Sequence, residues 1–564
     1  MGINKSREPM SRWFAACALL AVPMTCLAQN EITFSVDMTR PMRKGFLSPC
    51  SGDRALVRGT MNEWAGDDLE LADPDGDSTY SAVAFLEGEN GTEIEYKYVI
   101  LRADGAVLWE WDPDPDNPPY GNRRLELGGV PQSPPRGTFQ MDKYDLHRVG
   151  EKVEFSVDEL HHDFRQMRDA LENSHCCPYE YTKKHSLDSL FERQYEMIDR
   201  PMAPDEFFRI LTPITAKIGC GHTTVWMPGR FWDLGPDHLF PLRIRLIEGR
   251  AVAAGSYTGS DQVAFGSILT KINGRPVEEI IEELRVNYSA DAFNDHFRLT
   301  QIERRFPMLY ARVYGFTDEY TVSYLAPEEE VESSAGLEPA DIGAVRAAVF
   351  PEPVLNLQIL PEYGTALLTI ESFSYYDRVP MFKTFIDSCF QQIREREIGR
   401  LILDLRANDG GDPFCAVPLF SYLELEPVPY FAARYGKYSE FADPIPVAAR
   451  RFEGELYTLV DGRCFSTNGH FCSLLQYHGI GVLVGGDTGA SFCCNADVRK
   501  IRLDNTRILL HVPRGSFATA VKGMDKSLPI APDFRVEQSY RDFVAGRDSV
   551  LEFALDRIRE ERRP

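Results

Sequence analysis

The sequence predicts a multidomain α/β protein with an all-β module at its front, and three observations carry this. Residues 31–128 hold short, partly alternating apolar runs separated by turn-rich pieces. From about residue 155 the apolar period becomes helical. From about residue 355, continuous apolar strands alternate with helices, as in a sheet buried on both faces. A chain of 564 residues is too long for one core and divides into several. With 43% hydrophobic residues it has the material to fill them, and its net charge of −24 argues against binding nucleic acid, which is built on Lys and Arg.

The first residues read as a targeting signal. Lys5, Arg7 and Arg12 precede the apolar stretch WFAACALLAVPMTCLA, and Cys26 and Ala28 stand at −3 and −1 to a cut before Gln29. Residues 1–28 are thus a signal peptide, too short in its apolar part to span a membrane stably. Phe14 and Pro23 are poor residues for a lipid anchor at Cys17 or Cys26. No later run is apolar enough for a membrane helix. The mature protein is expected to be exported, periplasmic or secreted. Ten cysteines follow the cut; such a compartment permits disulfides, but their pairing is not legible.

In the front module, ITFSVDM, ALVRGT, YSAVAFL, EIEYKYVI and NRRLELGG read as strands of a β-sandwich, broken by turns such as ADPDGDSTY. At VRGTMNEW and EYKYVI…WEWDPD…NRRLEL the module resembles the starch-binding-like carbohydrate modules. The resemblance implies that Trp64, Trp109 and Trp111 stack on sugar rings and that a glucan is a partner; the alternative is that these rings pack the module. Residues 129–154, rich in Pro, Gly and Gln, read as a linker.

Residues 155–228 read as a helical subdomain. Leu160, Phe164, Met167 and Leu171 fall on one helix face, two further helices follow, and the chain arrives at GCGHTTV. Residues 235–330 combine strands, a turn at Asn273-Gly274 and a helix from about Val277. GSILTKINGRPVEEI resembles a PDZ-like module, whose groove takes an extended peptide by strand addition; the alternative is a rigid lid.

Residues 350–560 read as an α/β core. GRLILDLRANDGGD is an apolar strand ending in a Gly-rich turn, and ELYTLVDGRCFSTNGHF is a strand, a turn and a helix with Ser466 at the helix start. Ser is a good helix N-cap, and a serine at a strand-to-helix turn is also placed to be a nucleophile. Acyl transfer requires a nucleophile, a base and donors for the oxyanion. Ser466, His222, and the amides of Thr467 with Gly410 or Gly411 are the candidates, and none of these roles requires a metal or other cofactor.

Together, DELHHDFRQMRDALENSH, EFFRILTPITAKIGCGHTTV, GSILTKINGRPV, LILDLRANDGGD, the serine turn with GGDTG, and the ending PDFRVEQSYRDFVAGRDSVLEFALDRI resemble the S41 serine peptidases. This is the tail-specific protease family, with tricorn-like and retinoid-binding-protein relatives. The resemblance spans about residues 155–560. It implies a ClpP/crotonase-like core, a protein or peptide substrate, Ser466 as nucleophile, and oxyanion donors at Thr467 and at Gly410 or Gly411. Gly469 stands where members carry an acidic residue; a shifted register would instead make Thr467 the nucleophile. Ser491 occupies the position of the lysine base of Ser-Lys members, so the resemblance points to the tricorn-like branch and to His222 as base. The Glu that orients this His in that branch has no counterpart. Lys526 lies nearest its slot, leaving Asp525 as the neighbouring carboxylate.

The reading is therefore an exported serine endopeptidase working through a Ser-His acyl-enzyme. One rival keeps the scaffold without the chemistry, as a carbohydrate, lipid or peptide binder. Another uses Cys464 as a thiol nucleophile, or Cys220 and His222 as metal ligands.

Overall fold

The computed structural model describes residues 29–110, 121–141, 143–144, 147 and 152–561. The signal-peptide reading of residues 1–28 and the stacking role of Trp111 lie outside the described residues. The chain divides into two compact units, Met1–Lys152 and Val153–Pro564.

In the first unit, β1 (Gln29–Asp37), β4 (Thr79–Glu87) and β8 (Gly137–Thr138) form one sheet, with a short helix α1 (Thr39–Arg43) after β1. The second sheet holds β2 (Arg54–Gly59), β3 (Glu70–Leu71), β5 (Glu93–Leu101), β6 (Val107–Trp109) and β7 (Arg123–Glu126). Alternation along β1 sends Ile32, Phe34 and Val36 inward, where they share one core with Val57, Tyr96, Tyr98 and Ile100. Gly137–Thr138 fall in the stretch read as linker, yet they pair with Val36–Asp37 of β1, and Phe139 joins the core. A two-residue strand carries no period, which is why composition alone suggested a linker.

The second unit opens with helices α2 (Val157–Asn173), α3 (Lys184–Glu196) and α4 (Pro204–Ile218). The Ser156 side chain caps α2, with Glu159 completing a capping box. Gly219, in the left-handed region at φ 74°, ends α4. The chain then turns into β9 (Thr224–Trp226).

An antiparallel sheet follows: β10 (Leu242–Ile247), β11 (Arg250–Ser256), β12 (Ile268–Ile272), β13 (Arg275–Pro276), β14 (Tyr320–Leu325) and β15 (Glu332–Leu337), packed by α5 (Val277–Val286) and α6 (Asp295–Tyr314). Strand β10 lies at its edge. There the Leu246 amide is already taken by the Glu303 carboxylate at 2.9 Å. Helix α7 (Ile342–Val349) leads to the core.

The core sheet runs β16 (Leu355–Leu360), β17 (Thr365–Ile370), β18 (Arg400–Asp404), β19 (Glu455–Val460), β20 (Val482–Gly485) and β23 (Phe534–Arg535). All neighbours after the antiparallel pair β16–β17 are parallel. One face is covered by α8 (Val379–Glu395), α9 (Pro413–Ser421) and α10 (Thr467–His478). The other packs on the C-terminal helix α12 (Ser549–Glu561), which follows the short α11 (Tyr540–Val544). Strands buried on both faces explain the continuous apolar runs. A separate sheet pairs β21 (Cys493–Arg502) with β22 (Leu509–Ala518), and β22 with β9. No helix among the described residues is long and apolar enough to cross a membrane.

Candidate active site

Two turns meet beyond the carboxyl ends of β18 and β19, where ligands gather in parallel sheets. The first is Arg406–Asp412, the second Asp461–Ser466. Ser466 sits at φ 54°, ψ −126°, a conformation costly for a residue with a Cβ. It holds the N-cap position of α10, but its side chain makes no capping bond, which corrects the expectation that the serine also caps the helix. Its side chain lies near the buried Cys494 thiol. The strain is held in place by buried neighbours. Asn468 donates to the carbonyls of Leu405 and Asn408, at 3.1 and 3.0 Å, and Arg463 makes two bonds to Asp409 at 3.2 and 3.1 Å.

The glycine turn approaches so closely that a Cβ on Gly410 would lie 2.6 Å from the Phe465 carbonyl oxygen and 3.0 Å from the Thr467 nitrogen. The two glycines are not equivalent. The Gly410 amide donates to Asn408 Oδ1 at 2.8 Å. The flanking groups of Gly411 bond Phe373: Gly410 O accepts from Phe373 N, and Asp412 N donates to Phe373 O. Gly411 therefore turns its own peptide groups to the opposite side, where its carbonyl accepts the Thr467 hydroxyl at 2.6 Å. Among the described residues, the Thr467 and Gly411 amides have no recorded acceptor. They lie at the positive end of α10 and could stabilise an oxyanion.

His222 reaches this corner because β9 pairs with β22, opposing Val225 to Leu510 and Thr224 to His511. The half-buried imidazole stacks on the Phe465 ring with centroids 4.7 Å apart. Burial, with the nearby His511 adding to it, pushes its pKa down to about 4, so the ring is neutral at pH 7. That is the form a general base needs. Its buried Nδ1 has no hydrogen-bond partner. No hydrogen bond joins the ring to Ser466 among the described residues; proximity through Phe465 is what the structure provides.

Asp525 does not orient this histidine. It is an exposed turn residue whose carboxylate accepts from the amide and hydroxyl of Ser527, at 2.9 and 2.7 Å. Its neighbour Lys526 pairs with Glu180, which also accepts from Asn495 at 3.0 Å. The buried carboxylate that touches the loop carrying His222 is Asp291, which accepts the Gly221 amide at 2.7 Å. Burial pushes its pKa up to about 7, and its second oxygen is unpartnered. Nothing in the local sequence flagged Asp291, because its partner lies on a different subdomain.

The departures from the family pattern have local causes. A Cβ on Gly469 would stand 2.7 Å from Ala490 Cβ, leaving no room for an acidic side chain. Ser491, at the lysine position, folds back on Cys493, donating to its carbonyl and accepting its amide at 3.0 and 3.2 Å. Cys464 is fully buried, donates to the Leu405 carbonyl, and has a thiol pushed far up by burial, which removes it as a nucleophile. Cys220 and His222 belong to no group of metal-ligand geometry among the described residues; the group that has it is Asp73, Asp75 and Asp77. In the first unit, Trp64 and Trp109 are half-buried neighbours with centroids 6.2 Å apart.

Residues 364–536, which contain both turns, match the model of peptidase family S41. Solved structures extend the likeness in fold. Mature CPAF shares 14% identity over 71% of this chain and 96% of its own, at a TM-score of 0.52. Mature CPAF complexed with lactacystin shares 12% over 71% and 97%, also at 0.52. No curated protein matches the chain. This likeness of residues 364–536 supports a hydrolase of the serine peptidase class.

Proposed function

We propose that the protein is an exported serine endopeptidase in which Ser466 attacks the scissile carbonyl. His222 takes the Ser466 proton and returns it to the leaving amine, and the Thr467 and Gly411 amides hold the oxyanion. The observation that carries this is the strained Ser466 turn, with Thr467 and Gly411 amides free beside it. Strain of 1–3 kcal/mol persists only where surrounding structure enforces it, and it gathers at functional sites. Gly410, with its amide committed to Asn408, serves close approach rather than donation.

The unpartnered Nδ1 of His222 and the nearness of Ser466 to Cys494 describe a resting arrangement. Catalytic hydrogen bonds commonly tighten only when substrate binds. The substrate is a protein or peptide. Because Glu303 occupies the Leu246 amide, strand addition at the edge of the PDZ-like sheet requires that carboxylate to move. The paired rings of Trp64 and Trp109 support a glucan contact in the first unit. Incubating the mature protein with unfolded casein, and reading new termini by mass spectrometry, tests the function. Cleavage by wild type that is lost in Ser466→Ala is expected; no cleavage by either overturns it in favour of the binding scaffold, and equal cleavage by both overturns Ser466 as the nucleophile.

A further inference from the structure

Three arginines gather around two tryptophans in the second unit, and among the described residues none of the three is in an ion pair. The Arg312 guanidinium lies 5.0 Å from the Trp226 ring centre and 5.4 Å from that of Trp232. Arg305 stacks on the same Trp226 at 5.2 Å, and Arg346 on the same Trp232 at 5.9 Å. Arg346 is exposed, Arg305 half-buried and Arg312 buried, at 6% exposure. Exposure thus falls from Arg346 through Arg305 to Arg312. The charged groups around Arg312 are its two fellow guanidiniums and the Tyr288 phenol, while Arg305 also feels the Asp409 carboxylate.

This is unusual in a chain where 85 acidic residues face 61 Lys and Arg, since a buried guanidinium ordinarily finds a carboxylate. Stacking on tryptophan satisfies the face of a guanidinium, but its N–H groups point outward in its own plane and need acceptors. The buried Nε atoms of Arg305 and Arg312 have none. Beside Arg312 lies a cavity of about 50 Å³, lined also by Thr212, Thr215, Asn287 and Ser289, and by no carboxylate or lysine. That volume takes a few water-sized groups, not a peptide side chain.

We propose that this cluster is a binding site for one compact oxyanion, a phosphate or a carboxylate, held by Arg312 with Arg305 and Arg346 adding to the positive potential around it. The planar donors of arginine match such an oxyanion, and the hydroxyls of Thr212 and Ser289 supply further donors. An oxyanion here would tie α4 and α6 to β9, the strand that follows His222. The site is separate from the Ser466 turn and does not depend on the peptidase reading.

Calorimetric titration of the mature protein with sodium phosphate, and separately with sodium acetate, tests it at ionic strength held constant with chloride. Saturable binding at one anion per chain is expected, weakened about tenfold by Arg305→Gln and by Arg346→Gln and lost in Arg312→Gln. Binding of phosphate alone identifies a free phosphate as ligand, and binding of acetate identifies a carboxylate. Should Arg312→Gln fail to fold, the two outer variants decide. No saturable binding of either anion by folded wild type, or binding unchanged in the outer variants, overturns the proposal.

Discussion

The His222 imidazole lies stacked on the Phe465 ring, 4.7 Å between centroids and 30° apart, and Phe465 immediately precedes Ser466 in the chain. The His222 loop and the Ser466 turn are therefore held in register by one aromatic contact. Phe297 supports it from a further position, stacked on Phe465 at 4.2 Å.

Gly221 makes that contact possible. A Cβ there would meet Phe465 Cζ at 2.7 Å. Gly221→Ala is expected to fold but to lower kcat/KM about 100-fold, because the base is displaced from the nucleophile. Peptide hydrolysis compared with near-UV circular dichroism checks this; unchanged kinetics would show that the stack does not set catalytic geometry.

Ser466 pays in backbone strain for its position. Ser466→Gly removes the Cβ from an unfavourable conformation, and should raise stability by about 1 kcal/mol while abolishing hydrolysis. Denaturant titration of wild type, Ser466→Gly and Ser466→Ala separates this from simple loss of the hydroxyl, because Ala keeps the strain.

Asp409 joins the two turns to α6. It accepts from Gln301 at 2.8 Å and pairs with Arg304 and Arg463. Burial raises its pKa, but the two guanidiniums outweigh that and hold it below the usual carboxylate range. Asp409→Ala leaves two arginines without their partner and is expected to cost about 3 kcal/mol, measured by denaturant unfolding. A loss under about 1 kcal/mol would show that the network is dispensable.

The histidines pushed down by burial should each make stability rise with pH between about 5 and 6.5. Burial pushes His175, His222, His470 and His511 down to about 4. The unfolded chain protonates these near 6.5, so it binds protons that the folded chain refuses, and their contribution is lost as pH falls. Burial pushes Asp291 and Glu424 up to about 7. These keep protons in the folded chain that the unfolded chain releases, so their contribution falls as pH rises. Burial also lowers His478 and raises Glu110, Glu303 and Asp461, so the histidine contribution is isolated by comparison: the rise of the denaturant midpoint with pH should be shallower in His470→Gln than in wild type. An unchanged slope contradicts the assignment.

Much of the architecture is legible because apolar strands such as LILDL and LYTLV can serve only in a sheet buried on both faces. The serine and glycine turns are legible because each follows such a strand directly. Other features depend on residues far apart in the chain. The absence of an acidic side chain at Gly469 is decided by Ala490, and the grip on the loop carrying His222 comes from Asp291. Choosing Asp525 from its closeness to a family slot failed because its own turn, through Ser527, uses the carboxylate locally. The division of labour between Gly410 and Gly411 rests on Asn408 and Phe373, which no spacing rule connects.

The most direct test is labelling of the purified mature protein with a fluorophosphonate, following the rate against pH in wild type, Ser466→Ala, His222→Ala and Thr467→Ala. The account predicts labelling on Ser466, absent in Ser466→Ala, strongly reduced in His222→Ala and retained in Thr467→Ala, whose amide remains. In wild type the rate should rise through a pKa near 4, that of the half-buried His222, and stay high at neutral pH. Labelling that survives loss of His222, or a folded wild type that never reacts, would contradict an activated Ser466.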